Sequence, residues 1–210
     1  MAEHPPLVYT LREYDSVAST NDIAKTEAVQ GAPEGLAILA RRQERGRGRQ
    51  GRVWLSPEGQ GVYLSVLLRP AIPAYEANWL GVIGALAVAG ALEQAGVGDL
   101  TLKWPNDVLA RGRKIAGILV EPRIEAETVE FAVLGMGINV MQDRTEWRED
   151  LRDKVTSCRL EGVETEPRRL AGLVLESLGR VYAGFRAGRR QPLLREWSLR
   201  TGTSTLPVLE

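Results

Sequence analysis

The chain has 210 residues, enough for one sizeable domain or one domain with a small appendage. Its 27 Lys and Arg balance 27 Asp and Glu, so there is no bulk attraction to nucleic acid or an anionic membrane, and positive charge must act locally. A single cysteine, Cys158, excludes an internal disulfide, and a single histidine, His4, excludes histidine acid–base chemistry and Cys/His metal sites. The first six residues lack a basic, apolar signal segment, and the most apolar run, 79–92, is shorter than the roughly 20 residues a spanning helix needs. A soluble, cytoplasmic protein is expected.

In chain order, Leu7-Val8-Tyr9-Thr10-Leu11 reads as a strand, and Ser19-Thr20-Asn21-Asp22 as the capped start of a helix ending at Gly31. Strands follow at about 35–41 and 62–69, separated by an Arg/Gly loop. Residues 76–95, closed by Gly96, predict an apolar helix whose Gly81, Gly84 and Gly90 allow close packing. A short strand at 100–104 ends at Pro105. A hairpin then turns at Arg111-Gly112-Arg113 between strands at 107–109 and 114–121. A last strand covers about 128–138, and helices cover about 166–187 and 190–200. Strands arriving as hairpins, with helices before, between and after them, predict an α+β fold with a mixed β-sheet packed with α-helices, not a doubly wound sheet.

The run Gly46-Arg47-Gly48-Arg49-Gln50-Gly51-Arg52 interleaves glycines that permit close backbone approach with guanidinium groups that donate in pairs to phosphate or carboxylate. It spells G-x-G-x-x-G literally, but a dinucleotide fingerprint must open a helix and be followed about 20 residues later by an acidic residue. Here the loop runs into Val53-Trp54-Leu55-Ser56-Pro57, which stops any helix. Kinase H-R-D and D-F-G motifs are missing too. Ligand binding by the loop outweighs a merely solvated basic loop. A second stretch is Lys103-Trp104-Pro105-Asn106-Asp107 with Lys114-Ile115-Ala116-Gly117. Of the 27 basic residues only Lys25, Lys103, Lys114 and Lys154 are lysine, so two of the chain's few compact ammonium groups lie here. On composition alone, an ordinary strand-edge lysine remains the simpler reading of Lys114.

With Asp15-Ser16-Val17-Ala18-Ser19-Thr20-Asn21, residues 43–57, Lys103 to Asp107, Lys114 to Glu121 and Gly135-Met136-Gly137-Ile138-Asn139-Val140, the chain resembles the biotin–protein ligases in order and spacing over roughly residues 7–200. The resemblance implies a catalytic domain related to class II aminoacyl-tRNA synthetases. It implies activation of biotin by ATP to biotinyl-5′-AMP, with Mg2+, and transfer to a lysine of a biotin carboxyl carrier protein. A homodimer is compatible with it, although no stripe of residues establishes one; neither nucleic acid nor membrane is an expected partner.

The biotin contacts it implies are Ser19, Thr20, Asn21, Gln43, Arg47, Gly48, Arg49, Lys114 and Gly117, with a helix cap as the alternative role of Ser19 or Thr20. Lys114 would bridge the biotin carboxylate and the α-phosphate, supported by Lys103 and Arg49. Arg52 and Arg47 would face the pyrophosphate, and Asn106 and Asn139 the nucleotide. Asp107 would hold Mg2+ or orient Lys103. Trp54 would stack on the nucleotide or cover the site, or else be a core tryptophan. The expected organisation is one catalytic domain over 1–205, with 206–210 as the start of an otherwise absent C-terminal barrel and no N-terminal DNA-binding domain. Lipoate–protein ligase is the runner-up; a nucleic-acid contact and a non-catalytic binding module rank below it.

Overall fold

The run Gly61-Val62-Tyr63-Leu64-Ser65-Val66-Leu67-Leu68 shows no apolar/polar alternation, as expected of a strand covered on both faces, and every residue in it is buried. In the computed structural model, which describes residues 7–202, this strand lies inside a seven-stranded sheet. The strands are β1 (Thr10–Val17), β2 (Leu36–Gln43), β3 (Gly61–Leu68), β4 (Leu100–Lys103), β5 (Asp107–Ala110), β6 (Arg113–Glu125) and β7 (Thr128–Asn139), in the order β1-β2-β3-β7-β6-β5-β4. Only β1 and β2 run parallel; every other pairing is antiparallel. The sheet is therefore mixed, and helices cover both faces. His4 and residues 206–210, with the barrel expected there, lie outside the described residues.

On one face, α1 (Thr20–Val29) closes a small core in which Ala24 and Ala28 meet Ile38, Leu67, Phe131 and Val133. On the other, α2 (Asn78–Gln94) packs between the sheet and α3 (Pro167–Arg186), while α4 (Arg190–Thr201) reaches β4. Trp197 of α4 meets Trp104 edge-on with ring centroids 6.0 Å apart. By length and composition Ala74–Gln94 passes for a membrane span, contrary to the expectation from the shorter apolar run. Its Leu80, Ile83, Leu86 and Leu92 are buried in the protein core.

The first strand differs from expectation. It begins at Thr10 and continues to Val17, because parallel pairing with β2 from Thr10↔Leu36 to Val17↔Gln43 sets its extent. Most of its residues are exposed at the sheet edge, so no apolar pattern marked them. The hairpin turn is tighter than the three residues expected: Arg111 (φ 48°) and Gly112 (φ 76°) make it, and Arg113 already belongs to β6.

Two of the three glycines singled out in α2 do set the packing. A Cβ on Gly84 would stand 2.8 Å from Leu134 Cδ1 and one on Gly90 2.9 Å from Ser177 Oγ, whereas at Gly81 nothing comes nearer than 3.9 Å. Gly84→Val is therefore expected to destabilise the fold by about 1–3 kcal/mol through overpacking. Gly81→Ala should be neutral or stabilising by up to about 1 kcal/mol through helix propensity. Urea denaturation of both variants checks this, and equal shifts would contradict the packing account.

Candidate active site

Strand register builds the floor of the site. Lys103 pairs with Asp107, Asp107 with Gly117, Gly117 with Gly137, and Gly137 with Tyr63, so these residues form one row across five strands. Residues paired across strands share a face, and here it is the face that α1 leaves partly uncovered. Two facing glycines remove two side chains from the middle of the row. The Trp54 indole lies in the resulting slot: a Cβ on Gly137 would fall 2.5 Å from its Cε2 and one on Gly117 3.1 Å from its Cζ3. Two positions from Gly137 on the same face, Gly135 admits the Asn21 amide, whose Oδ1 would be 2.4 Å from an added Cβ.

At one end of the slot lies a neutral polar network. Gln43 Oε1 accepts from the Thr20 backbone N–H at 2.9 Å and from its hydroxyl at 3.1 Å, while Gln43 Nε2 donates to Ser56 Oγ at 3.0 Å. The Ser65 hydroxyl is within reach of Asn21 Oδ1 (2.5 Å) and Thr20 Oγ1 (2.7 Å). Ser19 stands at the N-cap of α1 but makes no side-chain cap bond. The expected local cap is replaced by Gln43, which reaches across from β2 to satisfy a free N–H of the first turn. Ser19, Thr20 and Asn21 are buried, so their polar atoms are held in place.

At the other end are cations. Lys114 Nζ stands 2.6 Å from Asp107 Oδ1 and 5.3 Å from the Trp54 ring centroid. Its main chain is clamped by bonds from Lys114 N to Lys154 O and from Thr156 N to Lys114 O. Arg49, Arg52 and Lys103 line the same cleft without a side-chain hydrogen bond among those described, and Asn139 Nδ2 donates to Thr156 O at 2.9 Å. Asp107 Oδ1 and Trp54 Nε1 are buried without a hydrogen-bond partner; for Asp107 the lysine approach is close in distance but poorly directed. Among the described residues no three His, Cys, Asp or Glu side chains cluster as a metal site.

The Arg/Gly loop folds over this cleft as a small hairpin. Arg47 bridges Val53, Gly48 N–H donates to Arg52 O at 2.7 Å, and Trp54 N–H donates to Gly46 O at 2.9 Å. Gln50 and Gly51, at φ 55° and 72°, turn its tip. The Arg47 guanidinium is engaged with protein carboxylates: Nη1 and Nη2 donate to Asp22 at 2.7 and 2.6 Å, and Nη2 also to Glu121 at 3.3 Å. The hydrogen bonds from Arg47 hold the Asp22 carboxyl below its ordinary range. Burial works to raise Glu121, but hydrogen bonds from Lys25 and Asn21 outweigh it and leave the group lowered.

The cleft measures about 560 Å3, within the usual size of a small-molecule site. Every candidate is on its walls: Ser19, Thr20, Asn21, Gln43, Arg47, Gly48, Arg49, Arg52, Trp54, Lys103, Asn106, Asp107, Lys114, Gly117 and Asn139. Sequence reasoning missed Gly135 and Gly137 as individual site residues, although two glycines at period two inside a strand are a signal of close approach. It also missed Trp147, Leu151, Asp153 and Val155, which border the cleft from a segment carrying no motif.

A mixed sheet with a glycine slot between a neutral polar end and a cationic end defines a small-molecule site suited to an anion-bearing ligand. The family model of the biotin/lipoate A/B protein ligases matches residues 14–139, from within β1 to the end of β7. The chain is similar to the bifunctional ligase/repressor BirA of Bacillus subtilis, with 40% identity over 157 residues, which are 75% of this chain and 46% of that protein. It is also similar to the biotin–[acetyl-CoA-carboxylase] ligase of Mycobacterium tuberculosis, 38% identical over 176 residues, covering 80% of this chain and 63% of that protein. Among solved structures, the Aquifex aeolicus biotin protein ligase in complex with biotin and ATP superposes with a TM-score of 0.75 at 29% identity, covering 91% of this chain and 78% of that one. The chain belongs to the biotin/lipoate A/B protein ligase family. It spans about half the length of the curated BirA relatives it matches.

The glycine slot can be tested without ligand. Gly137→Ala should expel the Trp54 indole, moving its Nε1–H NMR resonance and speeding its exchange with solvent; Trp54→Phe assigns that resonance. An unmoved, equally protected resonance would contradict the slot.

Proposed function

We propose that this chain is the catalytic domain of a biotin–protein ligase, which activates biotin with ATP and passes it to a lysine of a biotin carboxyl carrier protein. The observation that carries the reading is the make-up of the cleft: a fixed polar network at Thr20, Asn21 and Gln43, a glycine slot, and the cations Lys114, Arg49, Arg52 and Lys103 on its walls. Biotin suits that make-up, with a neutral ureido ring, an apolar body and a terminal carboxylate. Several matched curated relatives are named as biotin ligases, which favours biotin over lipoate within the family.

In the proposed reaction a biotin carboxylate oxygen attacks the α-phosphorus of ATP, the bond to the pyrophosphate oxygen breaks, and biotinyl-5′-AMP forms. The carrier amine then attacks the acyl carbon, an amide forms, AMP leaves, and the amine proton passes to solvent. The first step gathers several anionic oxygens, so catalysis is mainly positioning and charge neutralisation. Lys114 exchanges Asp107 for the carboxylate and α-phosphate; its clamped main chain keeps that exchange local. Lys103 and Arg49 support it, Arg52 faces the pyrophosphate, and Asn106 and Asn139 take the nucleotide. Ser19 and the backbone of Arg47, Gly48 and Arg49 complete the biotin contacts. Gly117, with Gly137, leaves room for the biotin body, and Trp54 moves from slot filler to cover.

One carboxylate beside a lysine does not make a protein cage for magnesium. Asp107 would be the one carboxylate here to hold a Mg2+ bound to the triphosphate, once Lys114 has left its Oδ1, and the ion would supply further neutralisation of phosphate charge.

Lys114→Ala should lower biotin-dependent ATP–pyrophosphate exchange by about 10²-fold or more, the scale of losing one preorganised charge. An unchanged rate would shift the role to Lys103. Lipoate in place of biotin should support little exchange, and equal exchange would overturn the choice of substrate.

A further inference from the structure

We propose that Asp22, together with Glu121, is a positioning residue that latches the Arg/Gly loop over the cleft through the Arg47 guanidinium, and so sets how long an activated intermediate stays bound. The second half of that statement rests on the function proposed above; the latch itself rests on geometry.

Arg47 is the one residue of 46–53 whose side chain, among the hydrogen bonds described, ties to another element. Its planar fork is filled by Asp22 in a two-bond arrangement, the strong form of a charge-assisted pair. Asp22 lies in the first turn of α1, where the exposed N–H groups favour an anion. Glu121, on β6, accepts from Asn21 Nδ2 at 2.6 Å and Lys25 Nζ at 2.5 Å, and Asn21 is itself seated against Gly135. Two cations thus meet two anions in a neutral cluster, with both anchors on rigid elements. The next arginine along, Arg49, hangs from the same hairpin and lines the cleft. Holding Arg47 therefore holds the hairpin whose turn starts at Arg49 and whose other arm leads to Trp54, although Asp22 itself makes no described bond to Lys114.

An isolated exposed ion pair would contribute little, and Asp22 is nearly half exposed. The paired geometry and the second carboxylate, Glu121, shared by Arg47 and Lys25, separate this cluster from that case.

The test uses the whole chain with Asp22→Asn, Asp22→Glu, Arg47→Gln and the Asp22→Asn/Arg47→Gln double variant. In ligand-free protein, hydrogen exchange should quicken across 46–54 in Asp22→Asn while the amides of 24–29 in α1 keep their protection. With biotin and Mg-ATP, escape of the adenylate should quicken about tenfold in Asp22→Asn, the scale of a lost charged hydrogen bond. The adenylation rate at saturating substrate should stay within about twofold, because Asp22 is placed away from the reacting atoms. Asp22→Glu should return most of the retention, and the double variant should lose adenylate no faster than Arg47→Gln alone. Unchanged exchange across 46–54 in Asp22→Asn, or additive losses in the double variant, would overturn the latch. If the wild-type chain makes no adenylate, the proposed function fails, and the ligand-free exchange experiment still decides the latch.

Discussion

Everything in the cleft depends on strand register. A shift of one residue in the pairing of β5, β6 or β7 would turn Asp107, Gly117 or Gly137 to the opposite face, because side chains alternate along a strand. The observed pairing puts Lys103, Asp107, Gly117, Gly137 and Tyr63 in a single row. Burial of Leu102, Val108, Ala116, Met136 and Leu64 on the α2 face fixes that register, since a slip would carry these apolar residues out of the core. The same hydrophobic alternation that stabilises the sheet therefore aligns the polar groups.

The row explains why glycine is needed where strand propensity argues against it. Glycine weakens a strand by roughly 0.5–1 kcal/mol relative to alanine. Here the loss is exchanged for a slot wide enough for an indole, with Trp54 packed where Cβ atoms would otherwise stand. Charges flanking the slot are compensated inside the protein: Lys114 by Asp107, and Arg47 by Asp22 and Glu121. A ligand carrying a carboxylate and phosphates can take over the first pairing at small electrostatic loss, because one anion replaces another beside the same ammonium. The second pairing involves carboxylates anchored on α1 and β6, which suits a lasting contact.

Much of this was legible in the sequence because local chemistry wrote it. The hairpins were readable from turn residues such as Arg111-Gly112, the apolar helix α2 from its length and closing Gly96, and the loop from its alternating Gly and Arg. Lys103, Asp107 and Lys114 stood out by lysine scarcity and motif. What escaped was set by distant partners. Gln43 caps α1 from 23 residues away, so Ser19 looked like the cap. β1 is an exposed edge whose limits come from pairing with β2, not from its own apolar pattern. The pairing of Arg47 with Asp22 and Glu121, 25 and 74 residues away, leaves no local mark in the sequence. The stretch from Trp147 to Val155 borders the cleft through a main-chain bridge to Lys114 that carries no side-chain code.

In the proposed function this cleft joins a carboxylate oxygen to the α-phosphorus of ATP. Following oxygen tests it most directly. With biotin labelled by 18O in its carboxylate, Mg-ATP and a carrier domain, AMP released after transfer should hold one labelled oxygen and pyrophosphate none. Label in pyrophosphate or inorganic phosphate, or biotinylation of the carrier with unlabelled AMP, would contradict it.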